Sequence, residues 1–140
     1  MEQTTKEILF NKAKEARRNA YTPYSHYQVG AALLSADGRI FTGCNIENAG
    51  HTPACCAERT AFFKAVSEDV KDFRAIAVVA GPEGGELVWT APCGVCRQVM
   101  MEFCEYETFE IYLGTGADDC KCYTLKELLP HGFGPGNLDF

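Results

Sequence analysis

The run Ala75–Ala80 reads Ala-Ile-Ala-Val-Val-Ala and contains no polar position. A strand with one wet face alternates polar and apolar side chains, so an unbroken apolar run marks a strand buried on both faces. Such a strand needs a covering layer on each side. Thr4 and Glu7 have capping-box spacing, and Leu9, Ala13, Ala16 and Ala20 follow at helical intervals. This first helix is expected to fade before Pro23, because a residue preceding proline avoids helical angles. Tyr27–Leu34 and Ile40–Ile46 are β-like, with the hairpin signal Asp37-Gly38 between them. Thr52-Pro53 resembles a cap followed by proline at a first helical position, with the helix running through Cys56, Glu58, Ala61, Phe62 and Ala65. Pro92 is expected to open another helix, ending near Cys104. Phe109–Leu113, a weaker strand at Asp119–Tyr123 and a short helix over Thr124–Leu129 complete the pattern. A hairpin followed by alternating helix and strand predicts an α/β chain whose mixed sheet is part antiparallel, part parallel, and covered by helices.

The chain has 140 residues, which suits one domain spanning 1–140. No apolar run approaches the ~18–20 residues of a membrane span. The N-terminus lacks a basic segment followed by an apolar core, so it does not read as a secretory signal, and a cytoplasmic location is expected. The formal net charge of −6 disfavours tracking a DNA or RNA polymer. Eight cysteines in 140 residues fall below the density of a disulfide scaffold. In a reducing compartment they point instead to metal binding or catalysis.

Two thiol motifs flank the apolar strand: Cys56-Ala57-Glu58 and Pro92-Cys93-Gly94-Val95-Cys96. Cys93 and Cys96 are three apart, so both thiols lie on one face of a helix's first turn. The positive end of a helix favours the thiolate, the form that binds metal. Cys56 offers a third sulfur. Three protein ligands with an open fourth position describe a catalytic zinc site, whereas a structural site is closed by four. Glu58, two residues beyond Cys56, can take a proton from zinc-bound water and pass it to a substrate. A Cys/His-x-Glu element followed by Pro-Cys-x-x-Cys is the pattern of zinc deaminases. A lone Cys-x-x-Cys would be weak; the combination is specific.

At these residues the chain resembles the small, homotetrameric cytidine deaminases. The likeness runs from the first helix to Phe133. It is carried by Tyr27-Gln28-Val29-Gly30-Ala31-Ala32-Leu33, Gly43-Cys44-Asn45-Ile46-Glu47-Asn48-Ala49, Cys56-Ala57-Glu58-Arg59-Thr60-Ala61 and Pro92-Cys93-Gly94-Val95-Cys96-Arg97-Gln98. The resemblance implies a three-layer α/β/α fold with a mixed five-stranded sheet. It also implies one Zn²⁺ per subunit on Cys56, Cys93 and Cys96, Glu58 as the catalytic proton shuttle, and conversion of cytidine and deoxycytidine to the uridine products plus ammonia. By the same resemblance, Asn45 and Glu47 hydrogen-bond the ribose hydroxyls. The backbone near Ala57 meets the pyrimidine edge, Tyr27 packs near the base, and Phe133 reaches the site of a neighbouring subunit in a homotetramer. Three thiolates and Zn²⁺ together carry a net negative charge, which weakens activation of water. Arg59, beside Glu58, is expected to offset it.

Blander readings stand beside these. Cys93 and Cys96 suit a redox pair or a structural zinc knuckle, and Glu58 a solvated helix carboxylate. Asn45 and Glu47 suit strand-end polar groups, Arg59 a surface ion pair, Tyr27 core packing, and Phe133 a tail packed on its own subunit. Cys120 and Cys122 read as buried or surface thiols, Cys44 and Cys104 as small core residues, and His26 and His131 as surface groups without partners. His51 stands where the family commonly has tyrosine and is a rival zinc ligand. Cys55 is another, although only Cys56 lies two before the glutamate. Rival functions are a deaminase of another base or aminated nucleoside analogue, and a non-catalytic zinc module that binds protein.

Overall fold

The computed structural model describes residues 1–138. Its sheet has five strands in the order β2-β1-β3-β4-β5. These are β1 (Tyr27–Ser35), β2 (Ile40–Cys44), β3 (Phe73–Pro82), β4 (Glu110–Gly116) and β5 (Asp119–Thr124). β1 runs antiparallel to both β2 and β3, β3 and β4 are parallel, and β5 returns antiparallel to β4. Parallel neighbours require a crossover, and helices supply it. α2 (Ala57–Ser67) links β2 to β3, and α3 (Gly94–Phe103) links β3 to β4.

The apolar run Ala75–Ala80 alternates between the two cores. Ala75, Ala77 and Val79 face α1 (Gln3–Arg17) together with Ala32, Leu34, Leu9, Phe10 and Ala13. Ile76 and Val78 pack on the opposite side with Leu33, Ile111, Phe62 and Met100 from α2 and α3. The small residues lie under α1 and the larger ones under α2 and α3. The result is the expected three-layer α/β/α arrangement with a mixed sheet.

Two glycines set how closely the helices approach. A Cβ on Gly30 would lie 2.0 Å from the Ala13 carbonyl oxygen of α1, and one on Gly43 2.3 Å from that of Ala57. Only hydrogen fits at either place. Gly43 therefore seats the start of α2 directly on β2.

Element boundaries differ from expectation where a local signal met a tertiary constraint. The Thr4–Glu7 capping box does not form: α1 begins at Gln3, and its N-cap, Glu2, makes no side-chain cap bond. A capping box forms instead at Thr124 and Glu127, opening the short helix α4 (Leu125–Leu128). β2 ends at Cys44, with Ile46 in isolated bridges to Tyr21 and Cys55. The Thr52-Pro53 signal does not start α2. Reciprocal backbone hydrogen bonds of 2.9 Å between Ile46 and Cys55 hold Cys55 extended, and His51 takes φ +58°, so the helix waits until Ala57. Pro92 also lies before its helix, because Cys93 is the N-cap of α3. His26, expected to lack a partner, lies 3.3 Å from Glu83. The tail makes one 3₁₀ turn over Pro135–Leu138. Phe140, a further apolar residue of that tail, lies outside the described residues. Among the described residues no helix is long and apolar enough to cross a membrane.

Candidate active site

The N-termini of α2 and α3 meet where β2 and β3 end. Cys56 and Cys93 are the N-caps of these helices, each with extended backbone angles. Cys96 lies in the first turn of α3, buried, and its N–H donates to the Cys93 sulfur at 3.5 Å. The three sulfurs lie within 4.8 Å of one another, with Cys56 and Cys93 3.7 Å apart. A tetrahedral zinc ion with Zn–S bonds of ~2.3 Å places its sulfurs ~3.8 Å apart. The donor set therefore fits zinc in type and spacing. Among the described residues no other cluster of three His, Cys, Asp or Glu side chains could hold a metal. Neither rival ligand joins it. His51 sits exposed in a turn, while Cys55 receives a hydrogen bond from the Thr60 hydroxyl at 3.7 Å.

The electrostatics favour thiolate at Cys56. A hydrogen bond with Cys96 is the largest influence on the Cys56 thiol, and with help from Arg59 it outweighs desolvation and holds Cys56 down to about 5. Cys96 is pushed up by the same hydrogen bond and by burial. Arg59 Nη2 lies 3.4 Å from the Cys56 sulfur, the position from which a guanidinium offsets thiolate charge.

Glu58 is the second residue of α2 and is 4% exposed. Its Oε1 is buried without a hydrogen-bond partner, as is Arg59 Nε. Burial raises the Glu58 carboxyl from 4.5 to about 7, and the neighbouring Cys56 adds to the effect. Native interiors rarely leave such atoms unpaired, since the desolvation cost goes uncompensated. A carboxyl poised near neutrality beside a metal-fitting cluster has the character of a proton-transfer group.

Asn45 and Glu47 arrive from the end of β2. Asn45 Oδ1 accepts from the Val29 N–H at 2.8 Å, and its Nδ2 donates to the Tyr27 carbonyl at 2.9 Å. Glu47 Oε1 accepts from the Tyr24 and Ser25 N–H groups at 3.0 and 3.1 Å, and Oε2 accepts from the Ser25 hydroxyl. Both side chains are thus held in place before any ligand arrives. With Cys55, Cys56 and Arg59 they line a cavity of about 210 Å³. A larger cavity, about 570 Å³, opens between Trp89 and Tyr123. Size alone would select it, yet no clustered thiol lines it, whereas Cys56 and its hydrogen-bond partner Arg59 line the smaller one, so the chemistry lies there.

A family model described as the cytidine and deoxycytidylate deaminase zinc-binding region matches residues 3–112, a span that includes all three clustered cysteines and Glu58. The chain belongs to this deaminase family. It is 48% identical to a cytidine deaminase of Sporosarcina psychrophila over 96% of this chain and 95% of that one. It is 49% identical to a cytidine deaminase of Halalkalibacterium halodurans over 91% and 93%. The solved structure of the cytidine deaminase from Burkholderia pseudomallei superposes with a TM-score of 0.80 at 43% identity, covering 90% of this chain and 97% of that one.

Within this deaminase the remaining expected site residues are spread more widely. Tyr27 directs its hydroxyl to Thr90 Oγ1 at 2.6 Å. Phe133 is 57% exposed and does not line the cavity of its own chain. Its backbone is nevertheless tied down, because Gln98 Nε2 of α3 donates to the Phe133 carbonyl at 2.8 Å. Ser25 and Thr90 were not anticipated. They act on partners 22 and 63 residues away, and no short-range pattern marks such pairs.

Proposed function

We propose that this chain is a zinc-dependent cytidine deaminase that converts cytidine and deoxycytidine, with water, to uridine and deoxyuridine plus ammonia. The observation that carries the reading is the buried, unpartnered Glu58 carboxyl beside three sulfurs spaced for zinc. Cys56, Cys93 and Cys96 hold the metal, which when bound supplies the Lewis acidity that makes water a nucleophile near neutral pH. Glu58 Oε1 takes a proton from the water as its oxygen attacks C4 of the pyrimidine. Glu58 then delivers that proton to N3, takes the second from the new C4 hydroxyl and passes it to the amino nitrogen, so that the C4–N bond breaks, ammonia leaves and the C4 carbonyl forms. Its burial keeps bulk water from competing for those protons. Arg59 stays on the sulfur side and balances thiolate charge. Asn45 and Glu47 meet the ribose hydroxyls, the backbone at Ala57 meets the pyrimidine edge, and the Tyr27 ring packs near the base.

The working unit is a homotetramer in which Phe133 closes a neighbour's site. The 210 Å³ cavity of one chain is smaller than the ~300 Å³ lower end of small-molecule sites. Phe133 and Leu138 are 57% and 55% exposed, apolar surface that a neighbour would cover. The enzyme acts in the cytoplasm in salvage of free nucleosides. A net charge of −6 and the Glu47 carboxylate beside the cavity disfavour polyanionic substrates.

Zinc stoichiometry, measured together with ammonia release from cytidine, cytosine, adenosine and CMP, tests the reading. One zinc per chain with turnover confined to the nucleoside of cytosine supports it. Stoichiometric zinc without ammonia release from any of the four would favour a non-catalytic zinc module.

A further inference from the structure

The connection between β3 and α3 runs from Glu83 to Cys93 and makes only one isolated bridge to the sheet, Ala80 with Val88. Cys93 closes this connection. It stands outside α3 as its N-cap and is exposed, whereas Cys96 is locked inside the helix. The Cys96 N–H holds the Cys93 sulfur from the helix side at 3.5 Å, and its placement on the other side depends on what restrains the residues just before it. Two side chains do so. Arg97 Nε donates to the Pro92 carbonyl at 2.8 Å, which ties the connection to α3 itself. Thr90 is bound from the sheet: its hydroxyl donates to the Val88 carbonyl at 3.2 Å and receives the Tyr27 hydroxyl at 2.6 Å. Between these anchors lie only Ala91 and the rigid ring of Pro92.

Tyr27 is itself well placed to hold something. Its carbonyl accepts from Asn45 Nδ2 at 2.9 Å and its N–H donates to the Ser25 hydroxyl at 3.0 Å. Ser25 in turn donates to Glu47. A continuous set of hydrogen bonds thus runs from the side of the site carrying Asn45 and Glu47, through Tyr27 and Thr90, to the segment that presents Cys93.

We propose that the Tyr27 hydroxyl is a positioning group for the metal site: by holding Thr90 it keeps the β3–α3 connection in the conformation that presents Cys93 to zinc. The ring of Tyr27 can face a bound base while its hydroxyl does this separate work. The proposal rests on the zinc-deaminase reading above, but its readout does not need turnover. A net hydrogen bond contributes ~1 kcal/mol, so its loss corresponds to about a fivefold weaker zinc affinity.

Zinc affinity is measured by competition between the intact holoenzyme and a chromophoric chelator. The forms compared are the parent, Tyr27→Phe, Thr90→Val and the double variant, with circular dichroism checking the fold of each. The expected result is a Kd for zinc about fivefold higher in each single variant and no higher again in the double variant. Thr90→Ser, which keeps the hydroxyl, should return close to the parent value. Unchanged zinc affinity with a raised KM for cytidine would overturn the proposal, since that is the signature of a Tyr27 that only touches the base. Additive losses in the double variant would overturn it as well, because the two hydroxyls would then act independently. If Thr90→Val unfolds the chain, the comparison of Tyr27→Phe with Thr90→Ser still decides. Failure of the deaminase reading would appear instead as absent ammonia release from a parent enzyme that retains its zinc.

Discussion

Replacing Glu58 with glutamine should lower activity and raise the stability of the zinc-stripped protein at alkaline pH. The side chain is buried and its Oε1 has no partner. Its carboxyl is raised from 4.5 to about 7, chiefly by desolvation. An acid whose folded-state value exceeds its unfolded value penalises the fold once the unfolded chain ionises and the folded chain resists. Stability is therefore fully present below pH 4.5, falls as pH rises toward 7, and levels off above. At 1.36 kcal/mol per tenfold difference in ionisation, the cost at pH 8 is about 3 kcal/mol, against under ~1 kcal/mol at pH 5. Glutamine fills nearly the same volume and carries no charge, so it removes that cost while keeping one amide in the same place.

The assay is urea unfolding of parent and Glu58→Gln in the presence of a chelator and a thiol reductant, at pH 5 and pH 8. Zinc removal matters, because zinc bound to the folded state would mask the carboxyl's contribution. The variant should be more stable by about 3 kcal/mol at pH 8 and nearly equal at pH 5. With zinc restored, kcat on cytidine should fall by roughly 10²–10⁴ or more, since a positioned acid–base group is lost. A variant no more stable than the parent at pH 8 would refute the reasoning, as it would mean that the Glu58 carboxyl is not held in a desolvated, unpartnered state. Near-native turnover would separately remove Glu58 from the proton-transfer role.

Arg59→Met removes the guanidinium that helps hold Cys56 at about 5. Protons should then compete with zinc at higher pH, and chelator competition should find affinity about tenfold or more weaker at pH 6, with a smaller loss at pH 8. Gly43→Ala places a Cβ 2.3 Å from the Ala57 carbonyl oxygen and 2.6 Å from the Ala61 nitrogen. Both contacts are backbone and cannot rotate away, so urea unfolding should register a loss of about 2–3 kcal/mol or more, with zinc affinity falling as α2 lifts. Sedimentation should report a tetramer. Phe133→Ala and Glu58→Gln chains, each impaired alone, should recover activity when refolded together, because mixed assemblies rebuild sites from two chains. No recovery would mean that each site is complete within one subunit.

What proved legible in the sequence was what neighbouring residues decide among themselves. The Ala75–Ala80 run and the Asp37-Gly38 turn act over a few residues, and both appear as read; the thiols of Cys93 and Cys96 share one helix start as read, although Cys93 caps the helix instead of lying in its first turn. The zinc-deaminase pattern was legible for the same reason, since each half of it is local. Helix starts were less so. Thr52-Pro53 is a sound local signal, but it yields to backbone pairing between Ile46 and Cys55, nine residues apart in sequence and joined only by the fold. The Thr4–Glu7 box yields similarly, while the box at Thr124–Glu127, unremarked in the sequence, forms.

Tertiary structure alone decided how the local pieces meet. Cys56 and Cys93 are 37 residues apart and come within 3.7 Å because two helices, each linking strands that run in one direction, start at the same end of the sheet, where β2 and β3 finish. The left-over polar atom of Glu58 is likewise a property of the assembled core: sequence shows a carboxylate on a helix, and only packing shows that water and partners are excluded from it. The pairing of Tyr27 with Thr90 depends on strand β1 passing beside a connection 63 residues further on. Propensity and spacing are short-range energies, so a sequence displays them directly. Burial and long-range hydrogen bonds depend on where the chain returns to itself, which follows from the sum of all those energies and from no single one.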